Sequence, residues 1–212
     1  MPESRSSRQN WKIAAAESGT QSRIVDAARR HFLAHGFRNV TMDDLAVELG
    51  MSKKTFYAHF PGKVALVESV LGAKLDAAEA DMERITSKSG EGFAGTLRDL
   101  LACLQQHTEE IKPPFLRDIR RDAPELLAMV EKRRSAMIER HFSRLLQVGR
   151  RDGTIRKDIS VRLIIDILLG ATQAVINPGS LEALALTPKS AYQAVISVIL
   201  EGAMTSKGKA KP

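Results

Sequence analysis

Lys53, Lys54, Thr55, Tyr57 and His59 concentrate cationic and hydrogen-bonding groups within one short stretch of the chain. Ammonium groups neutralise phosphates, while hydroxyl and imidazole groups bond phosphate oxygens or base edges, so the set suits a nucleic acid. Both lysines fall in the first turn of a helix that Ser52 opens. The helix dipole disfavours exposed cations at that end by ~0.3–1 kcal/mol each. A locally unfavourable placement marks a working surface, and the free N–H groups of the helix end add to its attraction for phosphate. The alternative is a pair of solvated lysines; Tyr57 and His59 on the same exposed side favour the first reading.

Three elements must hold these groups. Ile24, Ala27, Ala28 and Phe32 recur at helical spacing over residues 20–35, and Gly36 is placed to end that helix in a left-handed cap. Thr41 opens a second helix, with Asp44 at capping-box spacing, and Met42, Leu45, Ala46 and Leu49 form its buried stripe. Leu49-Gly50-Met51-Ser52 is a tight turn into the third helix, where Phe56 and Phe60 share the inner face. Two short helices joined in this way have helix-turn-helix spacing, with the second as the groove reader. Pro61-Gly62 breaks the chain before a longer helix that starts near Lys63 and runs into the mid-80s.

The remaining chain also reads as helices, about nine in all, and no strand pattern is found. The expected class is all-α: a three-helix DNA-binding domain over 20–62 and a larger helical domain for ligand binding and dimerisation over 63–204. A flexible arm, 1–19, and a basic tail, 205–212, flank them. Net charge is +7, with +3 in residues 1–70, +3 in the tail and a balanced middle. A basic end suits a polyanion. No apolar run is long enough to span a bilayer, and the polar start carries no signal peptide, so a cytoplasmic location is expected with no membrane partner. The single cysteine, Cys103, excludes a disulfide framework and a Cys-based zinc site. It reads as a small core residue.

Residues 23–70 closely resemble the DNA-binding domain of the tetracycline-repressor (TetR) family of bacterial transcription regulators. The matching pieces are Ile24, Ala27-Ala28, Phe32, Gly36-Phe37, Thr41, Leu45-Ala46, Gly50-Met51-Ser52, Thr55-Phe56-Tyr57, His59-Phe60, Lys63 and Leu66. The resemblance implies that Thr41 both caps its helix and touches a phosphate. It implies that Lys54, Thr55 and Tyr57 face the major groove, with Tyr57, His59 and Lys63 at phosphates. Ser52 and Lys53 complete the expected DNA-binding set. The chain departs from the family pattern at Gly62 and Val64, which weakens the start of the fourth helix.

Two further surfaces are expected in the larger domain. Leu97, Leu101 and Leu104, then Phe115 and Ile119, then Met129, Met137 and Phe142 are apolar stripes on successive helices. Each alone reads as core; the family resemblance implies a cavity between them for a small, mainly apolar effector. The helix over 159–177 is apolar on nearly all sides, so one side must meet a second chain. Ile165, Leu168, Leu169 and Thr172 there, with Tyr192, Val195, Ile196 and Ile199 on the last helix, are expected to form a homodimeric four-helix bundle.

His31 and His35 have chelating spacing but no third ligand nearby and read as helix-end histidines. Arg117, Arg120 and Arg121 read as a solvated face. Trp11 with Arg5, Arg8 and Lys12 reads either as a floppy tail or as an arm reaching DNA. No catalytic constellation, metal site or cofactor site is read. The sequence thus points to a homodimeric transcription regulator, a repressor released from a palindromic operator by a small effector. The rival is a cytosolic helical enzyme or ligand-binding protein that uses its first domain only for packing.

Overall fold

The computed structural model describes residues 5–88 and 92–204, with side chains from residue 18 onward except at 178 and 188. Ten helices follow one another among them: α1 (Arg5–His35), α2 (Met42–Glu48), α3 (Lys53–His59), α4 (Lys63–Ser87), α5 (Gly92–Glu109), α6 (Pro113–Asp122), α7 (Pro124–Arg151), α8 (Val161–Val175), α9 (Pro178–Ala183) and α10 (Pro188–Ala203). No strand occurs among the described residues; Ile155 and Met204 form a single isolated bridge.

Two differences from the sequence reading have local causes. α1 begins at Arg5, so most of the expected arm is helical. Residues 5–18 contain no Gly or Pro, and Ala14-Ala15-Ala16 are strong helix formers. The side chains of Arg5, Arg8, Trp11 and Lys12 and the tail 205–212 lie outside the described residues. The tenth helix is α9: Asn177-Pro178 does not simply break the chain, because the Asn177 side chain accepts from the Ser180 N–H at 3.0 Å and caps a new turn.

Two hydrophobic clusters organise the molecule. The first joins α1, α2, α3 and the start of α4 with α6 and the start of α7; Ile24, Phe32, Leu45, Phe56, Leu66 and Phe115 are among its buried members. The second joins the far half of α4 with α5, α7, α8 and α10, around Met82, Leu100, Ile138, Leu145 and Ile165. The first cluster therefore crosses the boundary expected at residue 62. α4 serves both: Leu66, Val67, Val70 and Leu71 lie in one, Ala78, Met82 and Ile85 in the other.

Polar contacts tie the first three helices to α6 as well. The Arg38 guanidinium donates to both Asp122 oxygens at 2.7 and 2.9 Å, and its backbone N–H donates to Asp118 at 3.0 Å. The Lys112 N–H donates to the Leu33 carbonyl at 3.2 Å. Gly36, at φ +91°, allows the close approach: a Cβ there would lie 2.7 Å from the Asp118 carboxylate.

His141 of α7 is fully buried, 0% exposed. Its Nδ1 lies 3.0 Å from the Thr86 hydroxyl, which itself donates to the Met82 carbonyl at 2.9 Å. That arrangement places the ring proton on Nδ1 and leaves Nε2 without a partner. Burial pushes the His141 pKa below its ordinary 6.5; Glu83 and Glu79 oppose this, and Arg144 and Arg140 reinforce it. In the unfolded chain the ring takes up its proton near 6.5, in the folded chain only at lower pH. This contribution to stability is complete above 6.5 and is lost as pH falls towards the lowered folded value. The thermal midpoint should therefore drop between pH 7 and 5, and less so in His141→Gln; equal drops in the two proteins would contradict this assignment.

Candidate nucleic-acid interface

The α2–α3 pair is set by its caps. The Thr41 hydroxyl accepts from the Asp44 N–H at 3.1 Å and donates to the Asp44 carboxylate at 2.6 Å. The Ser52 hydroxyl accepts from the Thr55 N–H at 3.1 Å and lies 2.8 Å from the Thr55 hydroxyl. Such caps are worth ~1 kcal/mol each. Gly50, at φ +65°, makes the turn between the helices. Phe56 is fully buried in the first cluster and Phe60 nearly so. Burying an aromatic ring is worth roughly 1.5–3 kcal/mol, enough to hold a seven-residue helix that could not stand alone.

With Phe56 inward, Lys54, Thr55 and Tyr57 face outward together, Tyr57 at 43% exposure and edge-on to Phe56. His59 is half-buried at the helix end. Thr41, Ser52 and Lys53 are exposed alongside.

Two of the expected contacts are arranged differently. Lys53 is an ion pair: its ammonium donates to Asp43 of α2 at 2.6 Å, and this bond raises its pKa. Asp43 thus offsets the dipole penalty that the sequence assigned to both lysines, and Lys54 remains without an ion pair among the described residues. Lys63 does not join the outer face. Its ammonium sits 4.6 Å from the Phe37 ring centroid and 5.9 Å from that of Phe32, and bonds the Arg38 carbonyl at 3.4 Å. Burial lowers its pKa, and Asp118 and Asp122 counter that. Lys63 braces the loop that carries Arg38, through cation–π contact.

In the larger domain, a cleft of about 710 Å³ lies between α5, the α7–α8 turn and α10. Leu97, Leu101 and Leu104 line it as expected, joined by Phe93, Tyr192 and Ile196. Phe115, Ile119 and Met129 belong instead to the first cluster, sealing the reader domain. Met137 and Phe142 are core residues of the second cluster and do not line the cleft. Arg98, Gln105, Lys189 and Gln193 rim the cleft. Arg134 donates to the Tyr192 hydroxyl at 2.6 Å and to Glu131 at 2.6 Å. Burial works against the Arg134 charge, yet Tyr192 and Glu131 outweigh it and raise its pKa; burial pushes the Tyr192 phenol up.

The expected dimer residues are also redistributed. Ile165, Leu168, Thr172, Val195 and Ile196 are buried inside this chain, where α8 packs on α7 and α10, and Tyr192 faces the cleft. Leu169 and Ile199 are half-buried against the same core. The apolar groups left exposed are Leu163 and Ile167 on α8, each at 49%, and Val198 on α10, at 73%. His31 pairs with Glu48 across to α2.

The model of bacterial regulatory proteins, tetR family, matches residues 24–70, the second part of α1, all of α2 and α3, and the start of α4. Over those residues the chain is similar to the tetR family. The HTH-type transcriptional regulator SrpR of Pseudomonas putida is 36% identical over 70 residues, which span 33% of this chain and 33% of SrpR. The HTH-type transcriptional repressor KstR2 of Rhodococcus jostii is 23% identical over 195 residues, 89% of this chain and 93% of KstR2. A transcriptional regulator from Cytophaga hutchinsonii has the same fold, with TM-score 0.68 at 20% identity over 88% of this chain and 100% of the other. So has SmeT, described as the repressor of the Stenotrophomonas maltophilia multidrug efflux pump SmeDEF, with TM-score 0.63 at 16% identity over 88% and 91% of the two chains. A SmeT–triclosan complex is also among these structures, at 17% identity, with TM-score 0.63 and 89% and 93% of the two chains covered. These relatives are described as transcription regulators, and the packing-only rival has no support from them.

Within the α2–α3 pair the two lysines should separate. Lys54→Ala should weaken binding to the operator and reduce the salt slope by about one if it meets a phosphate, or lose ~1–3 kcal/mol selectively if it reads a base. Helical circular dichroism should not change. Anisotropy titrations across a salt series check this, and unchanged affinity in Lys54→Ala would contradict the assignment.

Proposed function

We propose that the chain is a homodimeric repressor that acts in the cytoplasm and is released from a palindromic operator by a small, mainly apolar molecule. The observation that carries the reading is α3: a short helix pinned by Phe56 that turns Lys54, Thr55 and Tyr57 outward on one face. Thr41, Ser52, Lys53 and His59 border that face and are its supporting contacts.

The effector reading rests on the α5–α10 cleft. Its volume of about 710 Å³ falls within the ordinary range for small-molecule sites, roughly 300–1,000 Å³. Phe93, Leu97, Leu101 and Ile196 give it apolar walls, and Tyr192 adds a ring held by Arg134. The triclosan-bound relative is consistent with such a ligand class. Release would come from population shift: a ligand that favours mis-spaced reader helices by ~3 kcal/mol lowers DNA affinity on the order of a hundredfold.

Footprinting of the DNA upstream of its own coding region tests this directly. An inverted repeat should be protected, with half-sites about one helical turn apart, roughly 34–36 Å or slightly more. Leu101→Trp should fill the cleft and keep the footprint while blocking release by lipophilic compounds that act on the wild type. Absence of any protected repeat would overturn the reading.

The dimer would use Leu163, Ile167 and Val198, the apolar groups that this chain leaves uncovered on α8 and α10. Val198→Asp should put an unpaired carboxylate in that contact, giving monomer by light scattering and loss of the footprint. A wild type that scatters as a 23.3 kDa monomer at micromolar concentration would contradict it.

A further inference from the structure

We propose that Asp81, Cys103 and His107 form a binding site for one zinc-class divalent cation between α4 and α5. The cysteine count argues against a Cys-based zinc site, but the fold brings Asp81 of another helix to Cys103 and His107. Cys103 and His107 stand four residues apart on α5, one turn of one helix face, and Asp81 of α4 faces them. One ligand atom from each lies within 4.8 Å of the others. Tetrahedral zinc, with bonds of about 2.0–2.3 Å, brings neighbouring ligand atoms to about 3.3–3.8 Å. The Asp81–His107 pair, at 2.9 Å, must open slightly, and side-chain rotation is enough to bring all three ligand atoms to that spacing.

The donor set is suitable. Thiolate, imidazole and carboxylate together suit a borderline-soft cation such as zinc or its analogue cobalt, and three protein ligands leave a fourth position for water. The carboxylate is held in place: one Asp81 oxygen bonds Arg84, and the other lies 2.9 Å from His107 Nε2. Those contacts keep Asp81 ionised, the His107 bond contributing most. Cys103 is 6% exposed, and burial pushes its free thiol up to about 11. The thiol is thus unreactive by itself, and the cation must displace its proton to solvent, as metal binding to cysteine generally does. Access is provided on the His107 side, which lines a small surface cleft of about 260 Å³ with Asp26, Lys74 and Glu110.

A bound cation would fasten α5 to α4, the helix that enters both hydrophobic clusters. This inference does not depend on the effector or operator reading, and its readout needs neither.

The test uses the full-length, tag-free chain, reduced and stripped with chelator, titrated with cobalt(II) and then with zinc. One equivalent of cobalt should produce a near-ultraviolet thiolate-to-cobalt charge-transfer band and strong visible bands of four-coordinate cobalt, and one equivalent of zinc should abolish both. Zinc should also raise the thermal midpoint. Cys103→Ser should remove the charge-transfer band, and His107→Ala should weaken zinc at least 10–100-fold, about the range that loss of even a supporting group costs. His31→Ala with His35→Ala should change neither reading, which separates this site from the other histidine pair. Wild-type protein that gives no charge-transfer band, or zinc affinity that survives both Cys103→Ser and His107→Ala, would overturn the proposal.

Discussion

α4 must satisfy two hydrophobic cores at once, and the rest of the structure depends on that constraint. Its first half packs Leu66, Val67 and Val70 against the reader helices, and its second half packs Met82 and Ile85 against α5 and α7. A close-packed interior does not deform continuously. α4 is therefore the element that the two cores share. α7 repeats the arrangement, with Leu126 in the first core and Phe142 in the second.

The contact between Arg38 and α6 adds a second connection of a different kind. Packing on α4 is non-directional, whereas the Arg38–Asp122 fork and the Arg38 N–H to Asp118 bond fix an angle. Lys63 supports the same loop from beneath, over Phe37. The first three helices thus have an orientation relative to the larger domain as well as a position. In the proposed dimer on two half-sites, orientation would matter as much as separation, since a rotated α3 would no longer point Lys54 and Tyr57 into a groove.

The parts of this arrangement that were legible in the sequence are those decided locally. Thr41, Gly50 and Ser52 are cap and turn residues whose role depends on neighbours three residues away, and Phe56 and Phe60 follow from helical period alone. What the sequence does not show depends on partners far along the chain. The resemblance implies a phosphate contact for Lys63, whereas its place over Phe37, in the field of Asp118 and Asp122, is set by acids more than fifty residues later. Phe115 and Ile119 form an apolar stripe in either core, and periodicity does not say which core receives it. Tyr192 and Ile196 were placed at a partner chain because a helix apolar on several sides does not reveal which neighbour covers which side. The pairing of Asp81 with Cys103 and His107 had half a signal, the i, i+4 spacing of the latter two, and lacked the helix that completes it.

In the proposed function α3, held in this orientation, reads a specific DNA sequence. The most direct measurement compares wild-type affinity for the protected inverted repeat with that for a scrambled duplex of equal length at physiological salt. The account predicts a preference on the order of 10³ or more, because base contacts by the exposed α3 face add to phosphate attraction. Equal affinity for the two duplexes would contradict it, since phosphate attraction alone is blind to sequence.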